Sequence, residues 1–399
     1  MAERIVKLVS MGCGEEDLTD QARKALDEAD CLIGSDRLLQ RVPACPQVPR
    51  LRAVRGEEIR NMLRASEGKS PCVLLSGDGG FYSAAAGLLP LLEQEKISFE
   101  IVPGVSSLQA FAARLCQNWQ GWNLYSAHGR DCDPVAAVCE GKPAFFLTGG
   151  TLGSAELCAL LDRAGLGELQ VDVGENLSCE DERLYRGTAA ECAKMSFAPL
   201  SVLLVQPAPR YPKRTPGIPD EEFLRDQVPM TKQEVRTAIL AKLAVEPDDL
   251  CWDIGAGTGS VSVELALQSR AVWAVEREKK ALGLLEENRK RFGAWNLRIQ
   301  AGEAPEALES LPAPDKVFIG GNGGNLKGIL DVVNAINPRA RVCISAIALE
   351  TLQTALDTLE TLGYETEVVQ IAVSRARKAG ELHLLMAHNP VFLITGGRP

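Results

Sequence analysis

Residues 250–276, LCWDIGAGTGSVSVELALQSRAVWAVE, constrain the fold more than any other stretch of the chain. Residues 250–254 form a short apolar run, broken only by Asp253, that is long enough for a buried strand. Gly255, Gly257 and Gly259 then fall at alternate positions, and an apolar-periodic helix follows through Val261, Val263, Leu265, Ala266 and Leu267. A second apolar run over 271–275 closes on Glu276. Strand, glycine turn, helix, strand and acid in this order predict a βαβ unit suited to a nucleotide-like ligand. Glycines let the backbone approach a ligand where a Cβ would clash. Glu276, at the end of the second strand, is placed to accept hydrogen bonds from both hydroxyls of a ribose.

Two cofactors compete for such a site. The dinucleotide pattern G-x-G-x-x-G needs glycine at 260, where this chain has Ser260, and its third glycine comes one residue early. An acid two residues before the first glycine, followed by Gly255-Ala256-Gly257-Thr258-Gly259, resembles the loop of S-adenosylmethionine enzymes. There the loop packs against a methionine moiety, and no pyrophosphate has to be held at a helix N-terminus. An NAD-dependent oxidoreductase using 253–276 is the alternative, and a non-catalytic sensor of an adenosyl ligand is a third reading. A plain glycine-rich turn would leave the strand-to-acid context unexplained.

The rest of the C-terminal half alternates between strands and helices. Helices are predicted over 232–243 (with Thr231 as N-cap), 279–292, 326–336 and 349–362. Strands are predicted over 297–300, 316–319, 341–346 and 365–373, and a turn at 374–380 leads to a last strand over 381–388. Five parallel strands ending in a hairpin predict a doubly wound sheet with an antiparallel edge. Dehydrogenase sheets usually lack that hairpin, which again favours adenosylmethionine.

In the N-terminal half, strands over 71–76 and 99–102 run into the glycine- and serine-bearing loops 77–82 and 103–107. In a parallel sheet such loops gather at one carboxyl edge, the usual ligand crevice. His128 is the only histidine of this half and stands beside Gly129, Arg130 and Asp131. It reads either as a hydrogen-bonded structural histidine or as a substrate contact. Between 41 and 64, six arginines (41, 50, 52, 55, 60 and 64) face two acids. They read as a solvated face or as an anchor for a polycarboxylate, since guanidinium forks pair bidentately with carboxylates. A second α/β portion over 144–205 makes this half two small lobes. Residues 207–219 hold five prolines and three basic residues, which predict an extended, semi-rigid linker between domains at 1–206 and 220–399.

A net charge of −10 argues against nucleic acid or an anionic membrane surface as partner. The N-terminus has no signal-peptide core, and no apolar run approaches the ~18 residues of a membrane span. The 12 cysteines form no C-x-x-C pair, and three histidines leave no metal site to expect. A cytoplasmic protein with reduced thiols is the expectation.

The segments VSMGCGEEDLT, SGDGGFYSA, VPGVSSLQ, SAHGRD and GENLSCEDER resemble the tetrapyrrole methylases, in the cobalamin-pathway branch that methylates carbon 5. PGIPDEEF, PMTKQEVR, DIGAGTGSVSVE, GEAPEAL, FIGGNGG and NPVF resemble the class I methyltransferases of the same pathway that methylate carbon 15 and decarboxylate. One departure is Gly77-Asp78-Gly79, where the first family usually has Gly-Asp-Pro. The resemblance implies an α/β chain with a two-lobed tetrapyrrole-methylase fold followed by a Rossmann-like class I methyltransferase sheet. It implies two S-adenosylmethionine sites, and a tetrapyrrole polycarboxylate, precorrin-6Y (6B), that leaves as precorrin-8 after two methylations and loss of an acetate carboxyl. It further implies a homo-oligomer. The first cofactor is placed against Gly12, Asp78, Gly79, Phe81, Tyr82, Ser106 and Ser107. The second is placed against Thr231, Gly255, Ala256, Gly257, Thr258, Gly259, Glu276 and Ala304. Candidate substrate contacts are His128, Asn322, Arg375 and Arg377, the two arginines being equally readable as a surface turn. The tetrapeptide at 389–392 resembles the adenine-methylase N-P-P-Y, but it follows the last predicted strands and the acidic balance opposes nucleic acid.

Overall fold

Short apolar strands separated by helices build the first half of the molecule. The computed structural model describes residues 4–43, 47–66, 68–128, 132–209 and 215–398. The chain divides into two units, Met1–Pro207 and Ala208–Pro399. The expected linker residues 210–214 lie outside the described residues.

The first unit has two five-stranded sheets. One is wholly parallel and contains β1 (Val6–Ser10), β2 (Cys31–Gly34), β3 (Arg50–Arg52), β4 (Pro71–Leu75) and β5 (Phe99–Val102), in the order β3-β2-β4-β1-β5. β2 and β4 are buried along their whole length, which explains continuous apolar runs in place of alternation. Helices Gly56–Ala65 and Ala85–Gln94 cover one face through Ile59, Leu63, Leu88 and Leu92. Helix Asp20–Asp27 covers the other; Thr19 Oγ1 caps it by accepting from the Ala22 amide at 3.1 Å. The second sheet is mixed: β6 (Asn123–Ser126), β7 (Ala144–Leu147), β8 (Gln170–Glu175), β9 (Arg183–Thr188) and β10 (Ser201–Val205), in the order β6-β7-β10-β8-β9. Helix Ser107–Leu115 packs on it around Phe111 and Phe145.

The second unit is a doubly wound sheet. Its strands are β11 (Leu250–Ile254), β12 (Ala271–Glu276), β13 (Leu297–Ala301), β14 (Lys316–Ile319), β15 (Arg341–Ala346), β16 (Glu365–Ile371), β17 (Ser374–Ala379), β18 (Leu382–Ala387) and β19 (Val391–Gly397). Seven of them pair in the order β13-β12-β11-β14-β15-β19-β16, with β19 antiparallel to both neighbours. Helices Gln233–Leu243, Ser260–Gln268 and Lys279–Arg291 fill one face, and Leu326–Ile336 and Leu349–Thr361 the other. No helix among the described residues is long and apolar enough to cross a membrane.

The antiparallel edge is present, but one of its strands is not the expected segment. Residues 381–388 do not enter the main sheet; β18 pairs only with β17, as a separate hairpin exposed along its length. The inserted strand is β19, which begins inside NPVF and buries Leu393, Ile394 and Thr395. Leu382, Leu384 and Leu385 look like core in the sequence, yet alternation alone cannot tell a sheet strand from an arm. A second correction concerns Thr231. The helix starts at Gln233, with Lys232 at its N-cap and no side-chain cap. The Gln233 amide is instead satisfied by Asp220 Oδ1 at 2.9 Å.

Asp220 belongs to a buried charge cluster that helical periodicity conceals. Arg236, 0% exposed, pairs with Asp220 at 2.7 Å and Glu264 at 2.8 Å. Glu264 also accepts from the Gly217 and Ile218 amides at 2.7 and 3.2 Å. The cluster pins the segment before the first helix against the helix that follows the glycine loop.

Candidate active sites

In the second unit, the loop between β11 and its helix uses three glycines for three reasons. Gly255 has φ +73°, and a Cβ there would lie 2.5 Å from the Gly321 carbonyl oxygen. Gly259 has φ +77°, and a Cβ would lie 2.1 Å from Leu285 Cδ1. Gly257, at φ +56°, would bring a Cβ only into ordinary contact, 3.5 Å from the Pro229 carbonyl oxygen and 3.9 Å from Val228 Cγ1, so its backbone alone demands glycine. The Gly255 and Ala256 amides both donate to the Val275 carbonyl, at 2.9 and 3.1 Å. The Gly257 amide donates to Glu276 Oε2 at 2.8 Å, while Oε1 accepts from the Arg277 and Glu278 amides at 2.8 and 2.9 Å. Glu276 therefore ties the loop to β12 as well as facing the site.

Gly255, Glu276, Ala304 and Asn322 line one cavity of about 230 Å³. Behind it, Asp253 is 1% exposed and accepts from the Ser262 hydroxyl. Burial pushes its carboxyl up to about 7 against the Ser262 hydrogen bond, and the Glu276 charge adds to the rise. Asp253 Oδ1 and Thr258 Oγ1 are buried without a hydrogen-bond partner. An acid on the second strand and an orphaned hydroxyl in the glycine loop fit an adenosyl ligand.

The other expected residues of this unit are placed differently. Ala256, Gly257, Thr258 and Gly259 shape the loop and do not line the cavity. Thr231 does not line it, and its carbonyl accepts from Arg236. Arg375 is held by Glu234 at 3.0 and 2.7 Å and by Asp220 at 3.1 Å, so its guanidinium serves the protein's own carboxylates. Arg377 stands on the exposed hairpin opposite Leu384. Sequence reasoning missed Arg277 and Glu303, an ion pair on the cavity wall; their adjacency to Glu276 and Ala304 was the available signal.

In the first unit, a cavity of about 900 Å³ is lined by residues of both sheets. Asp78, Phe81, Tyr82, Ser106, Ser107 and His128 all reach it. Gly12 and Gly79 do not line it; they shape its loops. Gly12 exchanges backbone hydrogen bonds with Gly77 at 3.1 and 3.2 Å, tying the loops after β1 and β4 together. The Gly79 amide donates to Ser10 Oγ at 2.9 Å. Asp78 Oδ1 accepts from the Gly80 amide at 2.6 Å, and the Tyr82 hydroxyl donates to the Leu124 carbonyl at 3.1 Å. Ser106 is occupied as helix cap, in a capping box with Gln109. The His128 ring packs where Gly149 has no side chain: a Cβ on Gly149 would sit 2.0 Å from Nδ1. Gly129, Arg130 and Asp131 lie outside the described residues.

The arginine group resolves into structural pairs. Arg41 donates to the Met11 and Gly14 carbonyls at 2.8 and 2.6 Å. Arg50 donates to Leu39, Val42 and Pro43 carbonyls at 2.6, 2.8 and 2.6 Å. Arg52 pairs with Asp36 at 3.1 Å, and Arg60 and Arg64 share Glu95 at 3.5 and 2.8 Å. Arg52, Arg55 and Arg64 are exposed, which fits the solvated-face reading, and none of the six lines the first-unit cavity.

A glycine loop after β11, an acid closing β12 and a doubly wound sheet with one antiparallel strand define a class I methyltransferase unit; the two-sheet unit before it has the tetrapyrrole-methylase architecture. A family profile described as "Tetrapyrrole (Corrin/Porphyrin) Methylases" matches residues 6–193, and one described as "Precorrin methyltransferase domain" matches 221–396. A probable cobalt-precorrin-6B C(15)-methyltransferase (decarboxylating) of Sulfurisphaera tokodaii is 39% identical over 191 residues, 47% of this chain and 100% of the relative. A precorrin-6Y C(5,15)-methyltransferase (decarboxylating) of Sinorhizobium is 29% identical over 393 residues, 94% of this chain and 92% of the relative. The solved precorrin-6y C5,15-methyltransferase structure from Geobacter metallireducens is 39% identical, covers 46% of this chain and 98% of its own, and has a TM-score of 0.44. The chain belongs to the family of decarboxylating precorrin methyltransferases. Methyltransferases of this family use S-adenosylmethionine.

Proposed function

We propose that the chain methylates precorrin-6Y (6B) at carbons 5 and 15 and removes the carboxyl of an acetate arm to give precorrin-8, with one S-adenosylmethionine site in each unit. Residues 1–206 would carry the carbon 5 methylation, and 220–399 the carbon 15 methylation and the decarboxylation. The observation that carries this reading is the pair of separate cavities, one per unit, each beside glycine loops that follow parallel strands. The likeness to the Sinorhizobium relative along nearly the whole chain supports assigning both reactions to one chain.

The bound sulfonium supplies an already activated methyl group, so the protein's work is alignment. In the second unit, Glu276 would hold the adenosine part, with Gly257 keeping the loop tied to it through its amide. Asn322 Oδ1 accepts from the Gly324 amide at 2.8 Å, which leaves its Nδ2 protons as donors on the cavity wall. They suit an acetate carboxylate, and fixing that group with its C–C bond perpendicular to the ring lets the bond electrons enter the conjugated macrocycle as CO₂ departs. In the first unit, Asp78, Phe81, Tyr82, Ser106 and Ser107 would form the cofactor side of the cavity.

A homo-oligomer belongs to the same reading. The β17–β18 hairpin shows Leu382 and Leu385 at 69% and 74% exposure, and an isolated two-stranded hairpin is marginal in water. A second copy of the chain is the occupant we assign to it, and light scattering on the purified protein tests this: a monomer at working concentration contradicts it. The eleven described cysteines are all free, which supports a cytoplasmic, reducing setting. The reaction itself is tested by mass spectrometry of the tetrapyrrole after incubation with S-adenosylmethionine. Two methyl groups gained and one CO₂ lost is the expected result; an NAD-dependent oxidoreductase or a ligand sensor would leave the mass without either change.

A further inference from the structure

The first-unit cavity has an uneven charge lining. Among the described residues that line it, Arg37 is the only fixed cation and Asp78 the only carboxylate. Arg37 lies in the short helix Asp36–Gln40, directly after β2, and so stands at the carboxyl edge of the parallel sheet. Its Nη2 donates to Ser76 Oγ at 2.9 Å, and Ser76, just past β4, is on the cavity wall too. That bond uses one of five N–H donors. No carboxylate among the described residues pairs with Arg37; its neighbour Asp36 is taken by Arg52.

The contrast with the other arginines of this lobe is sharp. Arg41 and Arg50 spend their donors on backbone carbonyls, and Arg52, Arg60 and Arg64 on carboxylates. Arg37 is aimed by a serine and left without an anion. It also sits near Arg41, whose guanidinium is held below the usual arginine range by burial first and by the Arg37 charge second. Arg37, on the cavity wall with Arg41 behind it, makes a local positive site on a chain of net charge −10.

We propose that Arg37 binds a carboxylate arm of the tetrapyrrole in the first unit, with Ser76 Oγ aiming its fork. This rests on the reading of the first unit as the site of carbon 5 methylation. The guanidinium receives one carboxylate bidentately, which fixes the rotation of the macrocycle in the cavity and hence which bridging carbon meets the methyl donor. It takes no part in bond making. The role is specificity and positioning, and a neutral side chain there loosens substrate without touching the chemistry.

The test uses the full-length protein and follows methyl gain at carbon 5 by mass spectrometry across tetrapyrrole concentrations. Arg37→Gln should raise KM for that step roughly 5- to 30-fold, the range for losing a charge-assisted pair at a partly exposed site, with kcat within about twofold. Arg37→Lys should recover part of the loss, since it keeps the charge and loses the fork. Ser76→Ala should raise KM about two- to threefold in the same pattern, as one neutral hydrogen bond is lost. Added salt should raise the wild-type KM and leave that of Arg37→Gln nearly flat. Adenosylmethionine affinity by calorimetry, CO₂ loss and carbon 15 methylation should stay at wild-type values in all three variants. An unchanged KM in Arg37→Gln, or a loss of cofactor affinity in step with activity, overturns the assignment. A wild-type protein that never methylates carbon 5 overturns instead the reading of the first unit, and the inference with it.

Discussion

The two cavities are built on opposite plans. In the second unit a single βαβ unit does most of the work: loop 255–259 is tied to the next strand by Glu276, and its cavity measures about 230 Å³. In the first unit the glycine loops are tied to one another through Gly12 and Gly77, and two sheets enclose about 900 Å³. The tie in the second unit is local in sequence, although residues 302–304 and 321–323 complete its cavity, whereas the tie in the first unit joins strands far apart. The difference decides how local the damage from a substitution should be, and it can be broken experimentally.

The largest expected effect is that of Gly257→Val. At φ +56° a β-branched side chain is strained, and its branches crowd the Pro229 carbonyl and Val228, displacing the loop that Glu276 holds. Carbon 15 methylation should fall at least about 100-fold, the equivalent of roughly 3 kcal/mol of lost ligand contact and added strain. Methylation by the first unit should persist. Parallel loss of both activities in a folded protein would show that the sites are coupled.

Arg236→Leu should destabilise the second unit by about 3–5 kcal/mol, because Glu264 stays buried without its cation and Asp220 keeps only Arg375. Urea unfolding followed by tryptophan fluorescence reads this, since Trp252, Trp273 and Trp295 all lie in that unit. A midpoint equal to wild type would remove the cluster from its structural role.

Asp253 gives a pH test of similar size. Its carboxyl, raised from 3.8 to about 7, holds a proton more readily folded than unfolded. Its contribution to stability is therefore full below about pH 4 and is lost as pH rises through about 7, by up to about 4 kcal/mol. Asp253→Asn cannot ionise, so its stability relative to wild type should climb across that window. A constant difference from pH 4 to pH 8 would mean that the carboxyl titrates normally.

Glu276→Ala should weaken adenosylmethionine binding at the second site by roughly 1–3 kcal/mol, from ribose hydroxyls without an acceptor and a loosened Gly257 amide. Calorimetry should show one of two sites affected. Unchanged affinity at both would take Glu276 out of the cofactor site.

The glycine loop and its acid were legible in the chain: residues 250–276 predict the strand, turn, helix and acid on one side of the second-unit cavity, but not the wall from Arg277, Glu303 and Gly321. Alternation also predicted the doubly wound sheet, but not which late segment joins it. Both 381–388 and 391–397 are apolar enough, and only the buried neighbours of Leu393 and Ile394 distinguish them. Arg37 was hidden for a different reason. Six arginines cluster at 41–64, yet the partners of Arg41, Arg50, Arg52, Arg60 and Arg64 are carbonyls and carboxylates that come close only after folding. Arg236 likewise looked like one polar residue of an amphipathic helix, because its acids lie 16 and 28 residues away. Local pattern carries the backbone plan, whereas the pairing of charges is set by tertiary distance.

The division of labour between the units is tested most directly by Asp78→Ala combined with Ser107→Tyr. The first change removes the carboxylate that closes the loop at Gly80, and the second fills the first-unit cavity. Incubated with adenosylmethionine and tetrapyrrole, the variant should yield a product that has lost CO₂ and gained one methyl group, because the residues of the second cavity are untouched. If the folded variant also fails to release CO₂, the two reactions are not divided between the units.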